Sequence, residues 1–569
     1  MTHSIERIKP MGNEEFIREV LNRFDRICEE AYEEQKKLLG QILQDNKDTE
    51  FGQKYHFGDI RNVDEFRQQV PLSQFKDYEE DIERQIQGEQ GVLTAEKPVF
   101  YCISAGSTGV PKYLPISLED VRHHFFYEEG VVRGVIREAF PELGWEEIFG
   151  CTLELGEFFR TCMEDGTPNG VRSGIYFRYA QENNTFDVSS YGVPWDVFFP
   201  EKVEDILYVK VRFALDQEKV TGIHGVFAHK MLRTFRFIEK NWELLLHDME
   251  SGRVSPEFGI SKDWEEFLLH NLPANPGRAA DLRRISGKDF PSGMLKKIWP
   301  SLKYLRVIGG KMFQLYTDRI KVYADQLPIH FFAYAASESY LGVAEKMNCP
   351  DAYTLLADTC FYEFLPAGEE RKKNEEARPL AMWEVETGKQ YELVITTLSG
   401  LYRYQLGDVV EVAGWKGKVP VVRICGRIGQ GLNLADENMN VSQLETAVRE
   451  FGREMGIHFT EYCFLGEYQA DGPGYRLCLE MDKALPQDAE QRLDAQLGKA
   501  SFGYKSARDM GELSMARVTL VSADVFLAFE REKEKQGART EQKKPTRILR
   551  EAEDRRLFLK LLDRENTTT

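Results

Sequence analysis

The sequence has no run near the ~18 consecutive apolar residues of a membrane-spanning helix, which argues against an integral helical membrane protein. Its opening stretch, MTHSIERIKPMGNEEF, lacks the apolar core of a secretory signal, so a cytoplasmic protein is expected. The nine cysteines are scattered without a CxxC pair, which speaks against a disulfide framework and for reduced thiols. The ten histidines show no HExxH or similar spacing. His123 and His124 are adjacent, but neighbours on a helix point about 100° apart and make no ligand pair. Positive charge is also short: 74 Lys and Arg stand against 93 Asp and Glu, a net charge of -19 that repels a nucleic-acid backbone. A nucleotide site survives that argument, because it needs only a few local donors. Internal repeats are absent, and low complexity is confined to charge runs such as GEERKKNEEAR (368–378), expected as a solvated loop, and to the terminal NTTT.

What remains is a long chain with ordinary soluble-enzyme composition. At 569 residues it exceeds one compact core, so two or more domains are expected. Residues 12–90 read as helical, with Phe16, Val20, Phe24, Ile27 and Ala31 on one face. Ser117 caps a second long pattern, SLEDVRHHFFYEEGVVRGVIREAF, with Asp120 as a weak capping-box partner. MLRTFRFIEKNWELLLHDM reads as a third helix whose stripe of Leu232, Phe235, Ile238, Trp242 and Leu245 suits core packing better than a ligand wall. Short apolar runs, YLRVIGG (304–310) and IHFFAYAA (329–336), suit buried strands that feed loops. YELVITT (391–397), DVVEVAG (408–414) and VPVVRICG (419–426) suit a three-strand meander. The fold class expected is α/β: a large domain over residues 1–426, then a small α+β domain over 427–569. In that small domain Ser442 and Glu445 suggest a capping box, and ADVFLAFEREKEKQG a helix ending at Gly537.

The chemistry concentrates in SAGSTGVPK. Ser104, Gly106, Ser107, Thr108, Gly109 and Lys112 combine permissive backbone, hydroxyl donors and a cation, the makings of a phosphate cradle. The spacing is not that of a Walker loop, since Gly106 and Gly109 are three apart and Tyr113 follows Lys112. Alone, such a loop after a strand is more often a tight turn than a phosphate site. Other elements follow it in order. YAASES (334–339) sets Tyr334, Ser337 and Glu338 at a strand end, where ligands of open α/β sheets bind. Tyr334 suits an adenine ring, and Glu338 suits Mg²⁺, which prefers carboxylate and phosphate oxygens. Asp408, after a glycine at a strand start, suits the ribose hydroxyls, and Arg427 follows nineteen residues on, where composition changes.

These segments resemble the signatures of the adenylate-forming superfamily of acyl-CoA synthetases, luciferases and adenylation domains. Within it the chain most resembles the auxin-responsive promoter (Gretchen Hagen three) family of acyl-acid amido synthetases, through DTEFGQKYHFGDI, VPLSQFKDYEEDIERQIQGE, GVFAHKMLRTFRFIEKNWELLLHDMESGRV, ASESYLGV, FYEFLP and ELVITTLSGLYRYQLGDVVEV. The resemblance runs from about residue 48 to 548. It departs from the family pattern at Ala105 and Ala336, and it keeps a Gly-Arg, Gly426–Arg427, that plant members tend to lose.

The resemblance implies a luciferase-like large domain and a small mobile one. It implies a ligase using ATP and Mg²⁺, with a small carboxylic acid and an amino acid as substrates, and no nucleic-acid or membrane partner. The acid is adenylated, pyrophosphate leaves, and an amine displaces AMP. It assigns phosphate binding to Ser104, Gly106, Ser107, Thr108, Gly109 and Lys112, Mg²⁺ to Glu338, and the nucleoside to Tyr334, Ser337, Tyr353, Asp408 and Arg427. Gly309 and Gly310 fall near the reacting carboxylate, or simply turn the chain. Lys544 in ARTEQKKPTRIL matches the lysine that reaches the α-phosphate, with Lys543 as the neighbouring alternative. Two other readings stay open: an acyl-CoA ligase of the phenylacetate type, and a nucleotide-binding protein without catalysis.

Overall fold

The computed structural model describes residues 13–104, 112–156, 158, 160–182, 193–199, 206–285, 292–308, 314–367, 378–427, 430–457, 459, 461–481, 485–522, 525–526, 528–529, 532–533 and 547–568. The chain separates into two compact units, one built from residues up to 104 and 113–428, the other from residues 105–112 and from 429 onward.

The N-terminal stripe folds as its spacing dictates. Helix Asn13–Glu29 buries Phe16, Val20, Phe24 and Ile27, and helix Ala31–Asn46 follows it. Gln35, fully buried, fastens the second helix to the sheet behind it: its amide donates to the carbonyls of Ala357 (2.7 Å) and Cys360 (2.8 Å) and accepts from the Tyr362 N–H (2.8 Å).

Three sheets make up the first unit. One has the order β2-β1-β5-β4, from β1 (Phe100–Ser104), β2 (Lys112–Ile116), β4 (Thr161–Cys162) and β5 (Pro168–Gly170). The second is parallel, in the order β3-β6-β7-β8, from β3 (Thr152–Glu154), β6 (Gly222–Phe227), β7 (Tyr304–Ile308) and β8 (Ile329–His330). The third has eight strands in the order β13-β12-β14-β15-β16-β11-β10-β9. These are β9 (Ala333–Ala335), β10 (Tyr340–Val343), β11 (Tyr353–Leu355), β12 (Cys360–Pro366), β13 (Leu380–Ala381), β14 (Gln390–Thr397), β15 (Tyr404–Lys416) and β16 (Val419–Arg427). The expected meander is present as β14, β15 and β16. The single strand expected over 329–336 is instead two: β8 closes the parallel sheet, and after Phe331 and Phe332 the chain enters β9 at the edge of the large sheet.

Tertiary contacts also cut two expected long helices. The pattern after Ser117 forms helix Leu118–Phe126, a π-helical turn Tyr127–Val131, and helix Val132–Ala139. Its consecutive acids serve different arginines: Arg306 donates to Glu128 (2.6 Å) and Arg133 to Glu129 (2.7 Å). A Cβ at Gly130 would lie 2.3 Å from Val20, so only glycine lets the first helix pass this close. Ser117 caps as expected, accepting from the Asp120 N–H at 3.2 Å, but the Asp120 carboxylate turns away to Arg172. The pattern 231–249 divides at Asn241 into helices Ala228–Lys240 and Trp242–Ser251. Its stripe is buried throughout, as core.

The second unit has a two-stranded ribbon, β17 (Gln430–Leu432) with β18 (Met439–Asn440), and a sheet in the order β21-β20-β19-β22. That sheet comprises β19 (Tyr462–Gln469), β20 (Gly472–Glu480), β21 (Arg517–Val521) and β22 (Ile548–Leu549). Helices Val441–Met455, Ala489–Ala500 and Phe502–Asp509 contribute to one apolar core, and Phe558 and Leu562 of helix Ala552–Thr568 to another. The capping box here is Asn440 with Gln443, two residues before the Ser442–Glu445 box expected, because β18 ends at Asn440 and the helix starts directly from it. The helix expected to end at Gly537 lies largely outside the described residues, as does the loop expected over 368–378, apart from Arg378. The molecule is a large α/β unit joined in sequence to a small α+β unit, the fold class the sequence suggests.

Candidate functional site

β1 delivers the chain to the glycine-rich loop. Ser104 is its last residue and Lys112 the first of β2, both half-buried; Gly106, Ser107, Thr108 and Gly109 lie outside the described residues. β1 runs parallel to β5, with Cys102 opposite Gly170.

β9 brings in the second group. A tight turn joins it to β10, closed by the Ala336 N–H to the Ser339 carbonyl at 3.0 Å, and Ser337 and Glu338 form its tip. Glu338 is only 6% exposed and, among the described residues, has no hydrogen-bond or ion-pair partner. A carboxylate without a protein partner among the described residues has a cation as its natural complement. The turn lies beside the end of β1. The buried Cys102 thiol records this: burial pushes it up to about 12, Arg172 and a hydrogen bond with Ser337 pull it down, and the charges of Glu338 and Asp120 push it up.

Tyr334 connects this turn to the nucleoside-side residues. Its hydroxyl donates to Asp408 Oδ2 at 2.8 Å, and its ring centroid is 6.0 Å from that of Tyr353. Tyr353 is fully buried and spends its hydroxyl on the Pro350 carbonyl (3.1 Å), so it backs Tyr334. Asp408 sits inside β15, not at its start as expected, because pairing with β14 already begins at Tyr404. The preceding Gly407 has φ +84°, a left-handed conformation that favours glycine. Asp408 pairs in register with Arg427, the last residue of β16. The structure therefore groups Tyr334, Tyr353 and Asp408, with Arg427 across the ladder from Asp408, and sets the 337–338 turn beside β1. Gly309, Gly310, Lys543 and Lys544 lie outside the described residues.

One buried network was missed in the sequence. Glu154, His224, Arg306 and His330 occupy paired positions on the four parallel strands: Glu154 faces His224, His224 faces Arg306, and Arg306 faces His330. All four are buried. Glu154 bonds His224, Arg306 donates to Glu128 (2.6 Å), Tyr340 donates to the other Glu128 oxygen (2.9 Å), and His330 Nε2 donates to the Ala344 carbonyl (2.7 Å). The available signal was a polar residue inside each of four short apolar runs.

Among the described residues, no group of three or more His, Cys, Asp or Glu could cage a metal, and no helix is long and apolar enough to cross a membrane. All nine cysteines are free. A family model described as the GH3 family N-terminal domain matches residues 20–329, with the central-domain model at 353–427 and the C-terminal model at 442–553. A probable indole-3-acetic acid-amido synthetase, GH3.1 of Oryza sativa subsp. japonica, is 28% identical over 448 residues, covering 76% of this chain and 72% of that protein. A putative indole-3-acetic acid-amido synthetase, GH3.9 of Arabidopsis thaliana, is 29% identical over 472 residues, covering 79% and 78%. The solved structure of AtGH3.15 acyl acid amido synthetase in complex with 2,4-DB superposes with a TM-score of 0.65 at 19% identity, covering 95% of this chain and 96% of that one. At that identity the likeness concerns the fold.

Proposed function

This chain belongs to the GH3 family, and from that premise we propose that it is an ATP-dependent acyl-acid amido synthetase. A carboxylate oxygen of the acid attacks the α-phosphorus of ATP, the α–β anhydride bond breaks, and pyrophosphate leaves. The amine nitrogen of an amino acid then attacks the acyl carbon, and the bond to AMP breaks. Two anions must meet in the first step, so positioning and charge stabilisation carry most of the catalysis.

The observation that carries this reading is the path of one short strand: β9 hands Tyr334 to Asp408 and continues into Glu338 beside the end of β1. Tyr334, backed by Tyr353, flanks the base, and Asp408 accepts the ribose hydroxyls. Ser337 and Arg427 complete the nucleoside side. The loop from Ser104 to Lys112 holds the phosphates through Gly106, Ser107, Thr108 and Gly109. Gly309 and Gly310 pass the acid's carboxylate. Glu338 fits Mg²⁺, a single unpaired carboxylate being what that ion takes alongside phosphate oxygens. The ion would neutralise phosphate charge there. Lys544, on a small domain that swings about a hinge near Arg427, supplies the cation for the α-phosphate. Free thiols throughout suit the cytoplasm, where ATP is abundant.

The test is pyrophosphate–ATP exchange across a panel of carboxylic acids, followed by product masses with mixed amino acids and with CoA. Exchange with acid alone, and an amide product, are expected. A thioester as sole product makes the protein a CoA ligase of the phenylacetate type; ATP binding without exchange makes it a non-catalytic binder. Lys544→Ala should cut exchange by about a hundredfold with ATP affinity unchanged, and Lys543→Ala far less; the reverse result shifts the lysine by one residue.

A further inference from the structure

Arg172 opens the helix Arg172–Glu182, two residues past the Gly170 that pairs with Cys102 of β1. It is 7% exposed. Its guanidinium bonds the carboxylate of Asp120, and a terminal nitrogen donates to the Ser337 carbonyl at 3.5 Å. Ser337 immediately precedes Glu338. Asp120 lies in the helical turn capped by Ser117, directly after β2, and the Ser117 N–H is itself held by Ser399 Oγ at 2.9 Å. One guanidinium thus joins three things: the strand that enters the glycine-rich loop, the segment that leaves it, and the turn that carries Glu338.

Stability alone does not account for this pair. Arg172 Nε and Asp120 Oδ2 are buried without a hydrogen-bond partner among the described residues. A buried ion pair with unmade hydrogen bonds gains little over an apolar pair of the same size. Nor is Arg172 a phosphate ligand, because its charge is already committed to Asp120. What the arrangement does supply is a fixed placement of the turn relative to β1 and the helix after β2.

We propose that Arg172 is a positioning residue for adenylation: through Asp120 and the Ser337 carbonyl it holds the turn that carries Glu338 beside the end of β1 and the helix that follows β2, so that metal and triphosphate are bound together. This rests on the functional reading above. Removing the guanidinium frees the 337–338 turn, and the metal site loosens while Glu338 itself remains. Outer partners of metal ligands typically contribute ten- to a hundredfold in metal affinity.

The test is a titration of Mn²⁺ by electron paramagnetic resonance, with a non-hydrolysable ATP analogue present, alongside the Mg²⁺ dependence of pyrophosphate exchange. Arg172→Ala should weaken Mn²⁺ by about ten- to a hundredfold and shift half-saturation by Mg²⁺ equally, with metal-free binding of the analogue unchanged. Arg172→Lys should recover most of that loss, since lysine still reaches Asp120 and the carbonyl. Asp120→Asn should fall between them, and it provides the reading if Arg172→Ala does not fold. Arg403→Lys, which disturbs the buried pair with Glu363 (2.8 Å), should lower the melting temperature and leave Mn²⁺ binding alone. Unshifted Mn²⁺ affinity in folded Arg172 variants, with a wild type that binds, overturns the positioning role only. A wild type that binds no Mn²⁺ with the analogue overturns the functional reading, and this proposal with it.

Discussion

Two buried glutamates in the same unit are treated in opposite ways. Glu128, in the π-turn, has both oxygens occupied, by Arg306 at 2.6 Å and Tyr340 at 2.9 Å. Glu338, on the β9–β10 turn, is also buried and has no such partner among the described residues. The first is the end of a charge network spread across the parallel sheet; the second is a charge held ready at the end of a strand. On the proposed reading, folding uses Glu128 for itself and leaves Glu338 for a ligand to complete. The contrast separates stability from function within a single domain.

Removing one side of the satisfied pair should have the largest effect. Glu128→Gln leaves Arg306 buried opposite a neutral amide, and loss of one partner from a buried pair costs about 3–5 kcal/mol. Denaturant melts should show that loss. If the variant melts within experimental error of wild type, the network is not the structural device described.

The unsatisfied glutamate should respond the other way. Glu338→Gln removes a carboxylate with no partner among the described residues, so stability should hold. Pyrophosphate exchange should fall by about a hundredfold or more, the scale of losing one charge-stabilising group. A Glu338→Gln protein that melts early while exchanging normally reverses the two roles and ends the comparison.

What was legible in the sequence divides along the same line. Glu338 and Asp408 sit at turns and strand segments whose neighbouring residues carry recognisable chemistry, and Tyr334 is in the same short run as Glu338. Their grouping was suggested by the order of these runs and their resemblance to family signatures; Tyr334 and Asp408, 74 residues apart, meet only in the fold. The ladder was illegible because Glu154, His224, Arg306 and His330 are far apart in sequence and become neighbours only through strand register. The helix interruptions were hidden for a similar reason. Periodicity runs unbroken through Tyr127–Val131, where the structure has a π-turn packed against Val20 of the first helix, a contact that local sequence does not reveal. At the small unit, Asn440–Gln443 and Ser442–Glu445 are equally good capping boxes in local terms; the end of β18 decides between them. Arg172 gave no sequence signal, since its partners are a backbone carbonyl and an acid 52 residues earlier.

Asp408 tests the middle ground, a proposed ligand carboxylate that already accepts a protein hydroxyl. Tyr334 occupies Oδ2 at 2.8 Å. Asp408→Asn keeps an acceptor but loses the charge, and a charge-assisted bond to ribose is worth about 1.5–3 kcal/mol. Calorimetric ATP affinity should weaken by that amount, with the melting temperature of the free protein little changed. Unaltered ATP binding would place Asp408 with Glu128, as a residue the fold uses for itself.

The smallest effect expected is a pH dependence on the satisfied side. His123 and His124 are sequence neighbours that point into different surroundings. His124 stacks on Tyr340 at 4.7 Å, and burial, with the charge of Arg172, holds its pKa well below the ordinary value. His123 Nδ1 donates to the Glu119 carbonyl at 2.9 Å, and Nε2 lies 3.5 Å from Asp358 Oδ2. Burial opposes charge on the His123 ring, but the Asp358 carboxylate, with Glu119, outweighs it and pushes the ring up to about 9. Asp358 also takes Tyr127 at 2.5 Å and Arg23 at 3.4 Å, so it keeps partners when His123 loses its proton. A folded pKa above the unfolded value of about 6.5 means the imidazolium's contribution is complete below pH 6.5. It then drains away as pH rises towards 9. His123→Gln should therefore be less stable than wild type by about 1–2 kcal/mol at pH 6, and the two should converge by pH 9.5. Parallel stability curves across that range would mean that His123 is held neutral, and that the Asp358 cluster is satisfied by Arg23 and Tyr127 alone.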